Sequence, residues 1–262
     1  MKNYHFLVYG EDERQQYLKE ILEEKGYVVK DAKDASAGFF EAILLPLSET
    51  EMYLKKYADS FCPGQFVFGC NFPEETVEFA KNKKLRFVDY MKEDGVAEKN
   101  AVAVAEGILS EAIAGMKQNL CDSHCLVYGY GRCGSAVAEL LLALKARVTV
   151  VEKDSARRKL AEVAGYSIKS NGNLSDYELI VNTVPKLVLN REILKSCRKD
   201  VLILDLASKP GGVDFAFCKD QGIRAKLCPG LPARYAPKTS AEILVEVIEK
   251  KLENPNEGEQ NK

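Results

Sequence analysis

The sequence predicts an α/β protein made of two doubly wound parallel-sheet domains joined by long crossing helices. Short apolar runs alternate with stretches of helical period along the chain, the pattern of βα units stacked into a parallel sheet. The runs fall into two series, over 6–88 and 125–227, which implies two sheets. Two longer amphipathic stretches, 96–117 between the series and 240–252 after them, suit a chain that crosses to a second domain and then returns. With 262 residues, 46% of them apolar, there is material for two medium domains at roughly 100–200 residues each.

In the first series the strands are expected at 6–9, 28–30, 42–45, 66–68 and 85–88. Between them the clearest helices are 15–25, stopped by Gly26, and 74–83, preceded by Pro73. The stretch 96–117 is dominated by Ala, Val, Glu, Ile, Leu and Met and contains no Pro. The second series places strands at 125–128, 148–151, 179–181, 201–204 and 225–227, again separated by helical segments. Ile243, Leu244, Val247, Ile248 and Leu252 then recur at helical spacing. The expected division is a flavodoxin-like first domain over 1–100 with a return helix at 240–253, a second domain over 118–239, and a disordered polar tail over 254–262.

Composition removes several function classes. Lys and Arg number 37 against 39 Asp and Glu, a net charge of −2, which leaves no basic excess for nucleic-acid phosphates. No apolar run approaches the ~20 residues that cross a bilayer, and the first ten residues lack a signal peptide's hydrophobic stretch, so a cytoplasmic protein without membrane partners is expected. Eight cysteines in a chain with its own core imply reduced thiols. Cys121, His124 and Cys125 are the one cluster of soft ligands, but no second pair stands at zinc-like spacing and Cys125 reads as the start of a buried strand, so no metal is expected.

The chemistry is concentrated after the strand at 125–128. Gly129-Tyr130-Gly131-Arg132-Cys133-Gly134 opens a helix bearing Val137, Leu140, Leu141 and Leu144, and the next strand closes at Glu152. This is the full strand–turn–helix context of a dinucleotide-binding motif, and it makes the second domain a Rossmann domain. Gly129 permits the tight turn, Gly131 lets the backbone approach a pyrophosphate, and Gly134 allows close helix packing, while the helix N-terminus offers unpaired N–H groups and a positive dipole. Glu152 is expected to bind the adenosine ribose hydroxyls, which favours NAD, whereas Lys153 offers a cation for the 2′-phosphate of NADP; the balance favours NAD. Two further strand ends face the same crevice in a doubly wound sheet. They are Asn182-Thr183-Val184-Pro185, expected at the nicotinamide ribose, and 205–212, which begins Asp205-Leu206-Ala207-Ser208-Lys209. Turn formation is the alternative role for both.

The run at 202–239, with the glycine motif, closely resembles the A-subunit family of dipicolinate synthases, sporulation enzymes that make pyridine-2,6-dicarboxylate. Gly10, Asp12, Arg14 and Gln15 match a glycine-aspartate-arginine-glutamine start in that family, and 44–48 and 105–107 recur at comparable places. The resemblance implies NAD(P)-dependent dehydrogenation of a dihydrodipicolinate or its hydroxy-tetrahydro precursor, carried out with a separate flavoprotein, the B subunit of such synthases. It also implies a first domain that holds the substrate. The sequence departs from the family pattern at Glu152-Lys153, where a small residue and an arginine are expected, and this shifts the expected cofactor from NADP toward NAD.

An aromatising dehydrogenation needs orientation of hydride donor and acceptor more than a strong acid or base. Only His5 and His124 occur, and neither stands at the carboxyl end of an expected strand, which disfavours a 2-hydroxyacid dehydrogenase with its catalytic histidine. No catalytic residue is assigned. The substrate's two carboxylates require cations or hydroxyls. Arg14 with Asp12 and Ser48 in the first domain, and Ser208, Lys209, Arg234 and Lys238 on loops of the second, are expected to supply them on closure of a cleft; either serine could instead cap a helix. A homo-oligomer is expected. The reading from a different class is a non-catalytic NAD-binding regulator or scaffold of identical fold.

Overall fold

The computed structural model of the chain describes residues 4–33, 39–170 and 172–254. It divides into two compact units, Met1–Lys99 with Ala236–Lys262, and Asn100–Tyr235. The expected tail lies, from residue 255 on, outside the described residues.

In the first unit β1 (His5–Val8), β2 (Val28–Asp31), β3 (Ala42–Leu44), β4 (Phe66–Gly69) and β5 (Arg86–Asp89) form a parallel sheet in the order β2-β1-β3-β4-β5. This is the flavodoxin-like order, with its switch point between β1 and β3. The inner strands β1, β3 and β4 are apolar on both faces because both are covered. Phe6, Val8, Leu44 and Phe68 enter one core, and Leu7, Ile43 and Val67 the other.

Helix α1 (Glu13–Glu24) begins two residues before the apolar period suggests, since the Asp12 carboxylate accepts the Gln15 N–H at 3.0 Å and caps the helix there. Helices α2 (Thr50–Tyr57) and α3 (Glu74–Lys83) follow β3 and β4. The unit is closed by α10 (Pro237–Glu253), which packs on α1 and brings Leu244, Ile248 and Leu252 into one core with Leu18 and Leu22. That helix starts three residues before the expected 240, because Pro237 occupies its first turn, where a missing N–H costs nothing.

Helix α4 (Val96–Gly115) carries the chain from the first unit into the second. There β6 (His124–Tyr128), β7 (Arg147–Val151), β8 (Ser167–Ile168), β9 (Leu179–Asn182), β10 (Leu202–Asp205) and β11 (Arg224–Leu227) form a parallel sheet in the order β11-β10-β9-β6-β7-β8. Taken from β8, this is the Rossmann order, with its switch point between β6 and β9. Helices α5 (Arg132–Ala143), α6 (Ser155–Val163), α7 (Arg191–Leu194), α8 (Phe215–Gln221) and α9 (Leu231–Tyr235) intervene. Val137, Ala138 and Leu141 of α5 pack with Cys125 and Val127 of β6 in the main core.

His5 and His124 open β1 and β6, at the amino ends of their strands, opposite the edge where Rossmann-type ligands bind. All eight cysteines are free thiols. Cys121 is exposed and its thiol meets Asp122, while Cys125 is buried beside the Ser123 hydroxyl. No described helix is long and apolar enough to cross a membrane.

Candidate functional site

The turn from β6 to α5 is built by its glycines. Gly129 holds φ +89°, a conformation that costs an L side chain strain, and its N–H donates to Val151 O at 2.8 Å, tying the turn to the end of β7. A Cβ on Gly134 would stand 2.1 Å from the Gly129 carbonyl oxygen, so α5 starts this close to β6 only with glycine there. At Gly131, the N-cap of α5, the space is open, with only the Arg157 Nη1 as near as 4.0 Å to a would-be Cβ. Open backbone at the N-terminus of a twelve-residue helix fits a pyrophosphate. Arg132 and Cys133 form its first turn, and burial raises the Cys133 thiol above its ordinary pKa.

Glu152 ends β7 with its carboxylate turned onto the loop. It accepts the N–H of Tyr130 at 2.8 Å through one oxygen, and those of Lys153 and Asp154 at 2.7 and 2.9 Å through the other. Burial opposes ionisation here, but the three N–H groups and Arg157 outweigh it and hold the carboxyl below its usual range. Three of roughly four acceptor positions are filled, which leaves room for a ribose hydroxyl. Beside it a cleft of about 400 Å³ is lined by Tyr128, Gly129, Glu152, Lys153, Val184 and Pro185. Lys153 is exposed at its rim.

Two expected ligand contacts are corrected. The Asn182 and Asp205 side chains are fully buried and committed to each other, Asn182 Nδ2 donating to Asp205 Oδ1 at 2.8 Å. Asp205 also accepts the N–H groups of Ala207 at 3.0 Å and Gly212 at 2.7 Å, and Asn182 bonds both backbone groups of Val184. Neither side chain is free to line a nicotinamide ribose; together they shape the loops after β9 and β10. Thr183 likewise donates to Tyr128 O at 2.8 Å. Ala207 is buried, whereas Ser208 and Lys209 are exposed on the loop, before a cis Lys209–Pro210 bond.

The expectation of loop cations holds for Lys209 and is corrected for Arg234 and Lys238. Arg234 lies in α9 and donates to Glu111 Oε1 at 3.0 Å; Glu111 also takes the Tyr235 hydroxyl at 2.9 Å and pairs with Lys226. Chief among the causes, the Lys226 ammonium holds the Glu111 carboxyl below its usual range. Lys238 is in α10, exposed, and belongs to the first unit.

In the first unit Asp12 is the α1 cap and Arg14 lies in the first turn of that helix rather than on a loop, only 7% exposed. Ser48 is exposed in the turn before α2, whose N-cap is Glu49. A cavity of about 420 Å³ opens at the carboxyl ends of β1 and β2, lined by Tyr9, Gly10, Asp12, Asp31, Tyr53 and Tyr57. Sequence reasoning missed it, although Tyr53 and Tyr57, one helical turn apart, are its visible trace.

Residues 117–219, the span of the nucleotide cradle, match a family model described as "Putative NAD(P)-binding". The A subunit of dipicolinate synthase from Bacillus subtilis (strain 168) is 32% identical over 230 residues, 81% of this chain and 77% of that protein. The chain belongs to the A-subunit family of dipicolinate synthases. Solved structures agree along nearly the whole length. The dipicolinate synthase A subunit from Bacillus halodurans superposes with a TM-score of 0.85 at 26% identity, over 95% of this chain and 98% of that one. The A chain of dipicolinate synthase from Bacillus subtilis gives 0.81 at 27% identity, over 97% of each. In this dipicolinate synthase family member the cradle lies within the domain that matches the NAD(P)-binding description.

Proposed function

We propose that the protein is the pyridine-nucleotide subunit of a dipicolinate synthase, oxidising a dihydrodipicolinate, or its hydroxy-tetrahydro precursor, to pyridine-2,6-dicarboxylate. The observation that carries the reading is a nucleotide cradle in a chain 32% identical to a protein of that name. A nicotinamide nucleotide bound there supplies a two-electron hydride acceptor. The chain's own residues orient it: the N–H groups at Gly131 and the first turn of α5 face the pyrophosphate, and Glu152 takes a ribose hydroxyl at its remaining acceptor position. A 2′-phosphate beside that carboxylate is repelled, so NADH binds more tightly than NADPH.

Loss of a hydride and a proton aromatises the dihydro ring, the hydroxy-tetrahydro precursor first losing a molecule of water to reach it, and no side chain of this protein need be a strong base. Both imidazoles stand at the amino ends of strands, which supports a reaction without a histidine. The partner is a flavoprotein, the synthase's B subunit. The test mixes the two proteins with the product of dihydrodipicolinate synthase and a nicotinamide nucleotide, and follows the ultraviolet absorbance of the pyridine ring. Absorbance should grow with both proteins and little with this chain alone. Full activity without the flavoprotein removes the partner; nucleotide binding with no turnover in any mixture leaves the protein a nucleotide-binding scaffold.

A further inference from the structure

One cation stands over the open backbone of the β6–α5 turn. The Arg157 Nη1 lies 4.0 Å from the place a Cβ on Gly131 would take, the only atom beyond the turn to come within that distance. Arg157 is the third residue of α6, and helical side chains tilt back toward the helix start, which here is the side of the turn. Its backbone is pinned. The Arg157 N–H donates to the capping Asp154 carboxylate at 2.9 Å, and the Asp154 N–H donates to Glu152 Oε1 at 2.9 Å. The other Glu152 oxygen holds the Tyr130 N–H, so one carboxylate ties the start of α6 to the glycine turn. The Arg157 side chain is exposed and makes no hydrogen bond or ion pair among the described residues. It is held in place and has no partner there.

The charges of the cradle say what that partner is. A dinucleotide's pyrophosphate brings two negative charges to a place where the start of α5 offers roughly half a positive one and the ionised Glu152 a full negative one. Without a further cation the cradle's own carboxylate opposes the ligand. We infer that Arg157 is the counter-ion of the pyrophosphate, its fork of N–H donors taking phosphate oxygens from the α6 side of the turn. Glu152 is then a positioning residue as well, since it keeps α6 where the guanidinium reaches Gly131. The inference rests on nucleotide binding in the proposed function and names a group that NAD and NADP share, so it does not depend on the choice between them.

The test uses the full chain. Because the side chain is exposed, ligand-free Arg157→Met and Arg157→Lys should melt with the unaltered protein. Calorimetric titrations with NADH, NADPH and ADP should each show affinity reduced roughly tenfold or more in Arg157→Met, the usual cost of a charge-assisted hydrogen bond. The ratio of NADH to NADPH affinity should not move. Arg157→Lys keeps the charge without the fork and should fall between the two. Arg158→Met, one position on and on another side of α6, should bind all three ligands normally. Unchanged affinity in Arg157→Met, a loss confined to NADPH, an equal loss in Arg158→Met, or ligand-free Arg157→Met melting several degrees lower each overturns the inference. An equal loss for the three ligands, in a protein that with its flavoprotein turns over no dihydrodipicolinate, upholds the counter-ion and sinks the proposed reaction. Turnover by the unaltered protein beside normal binding by Arg157→Met does the reverse, and an unaltered protein that binds none of the three ligands sinks both.

Discussion

The single residue with most consequence in the nucleotide site is Glu152. Its carboxyl is held below the usual range in the folded chain, so its contribution to stability is complete above the unfolded value of about 4.3 and vanishes as the pH falls through the lower folded value. The stability gap between the unaltered protein and Glu152→Gln in urea should therefore be present at pH 7 and shrink under acid. Glu152→Ser should weaken NADH binding, because the Tyr130 N–H loses its acceptor, and narrow the difference between NADH and NADPH; a clear NADPH preference in the unaltered protein ends the NAD reading and points to Lys153. Asp205 acts on the fold instead. Removing its carboxylate takes one acceptor from the Asn182 amide and strands two backbone N–H groups in a fully buried place, so Asp205→Ala should cost about 3 kcal/mol or more, seen as a fall in melting temperature.

Among the elements, the β6–α5 turn separates packing from binding with one type of substitution. Gly134→Ala puts a methyl 2.1 Å from a backbone oxygen and should prevent the turn from closing, with loss of both stability and nucleotide binding. Gly131→Ala meets open space at φ −83°, so stability should hold to within about 0.5 kcal/mol while nucleotide affinity falls at least tenfold; equal losses of stability in the two variants would refute the distinction. This turn is legible in the sequence because only glycine solves its three problems of φ, contact and approach. The strands are legible for a related reason: a strand covered on both faces is a short continuous apolar run, and each expected one is present. Two-residue β8 leaves no such run, and α1 and α10 begin early because a cap and a proline set their starts where apolar period is silent. Asn182 and Asp205 escape a correct reading since a sequence shows that a residue is polar but not whom it bonds.

At the scale of the whole molecule, the histidines sit far along their strands from the binding edges, so the double variant His5→Asn, His124→Asn should keep its turnover with the flavoprotein if it folds. A folded but inactive double variant would overturn chemistry without an imidazole. Deleting 237–254 should melt the first unit, because Leu18 and Leu22 of α1 lose the apolar face that buries them; unchanged protection of the α1 amides from hydrogen exchange would show otherwise. The same closing helix bears on how the chain is made. A ribosome releases the first five strands long before Pro237 leaves the exit tunnel, and until then α1 has its apolar stripe bare. The nucleotide-binding unit, continuous in sequence, can complete itself first, while the earlier half waits. Newborn chains should thus pass through an interval in which proteases cut near 13–31 and spare 124–235, and in which a holdase chaperone finds its grip on α1.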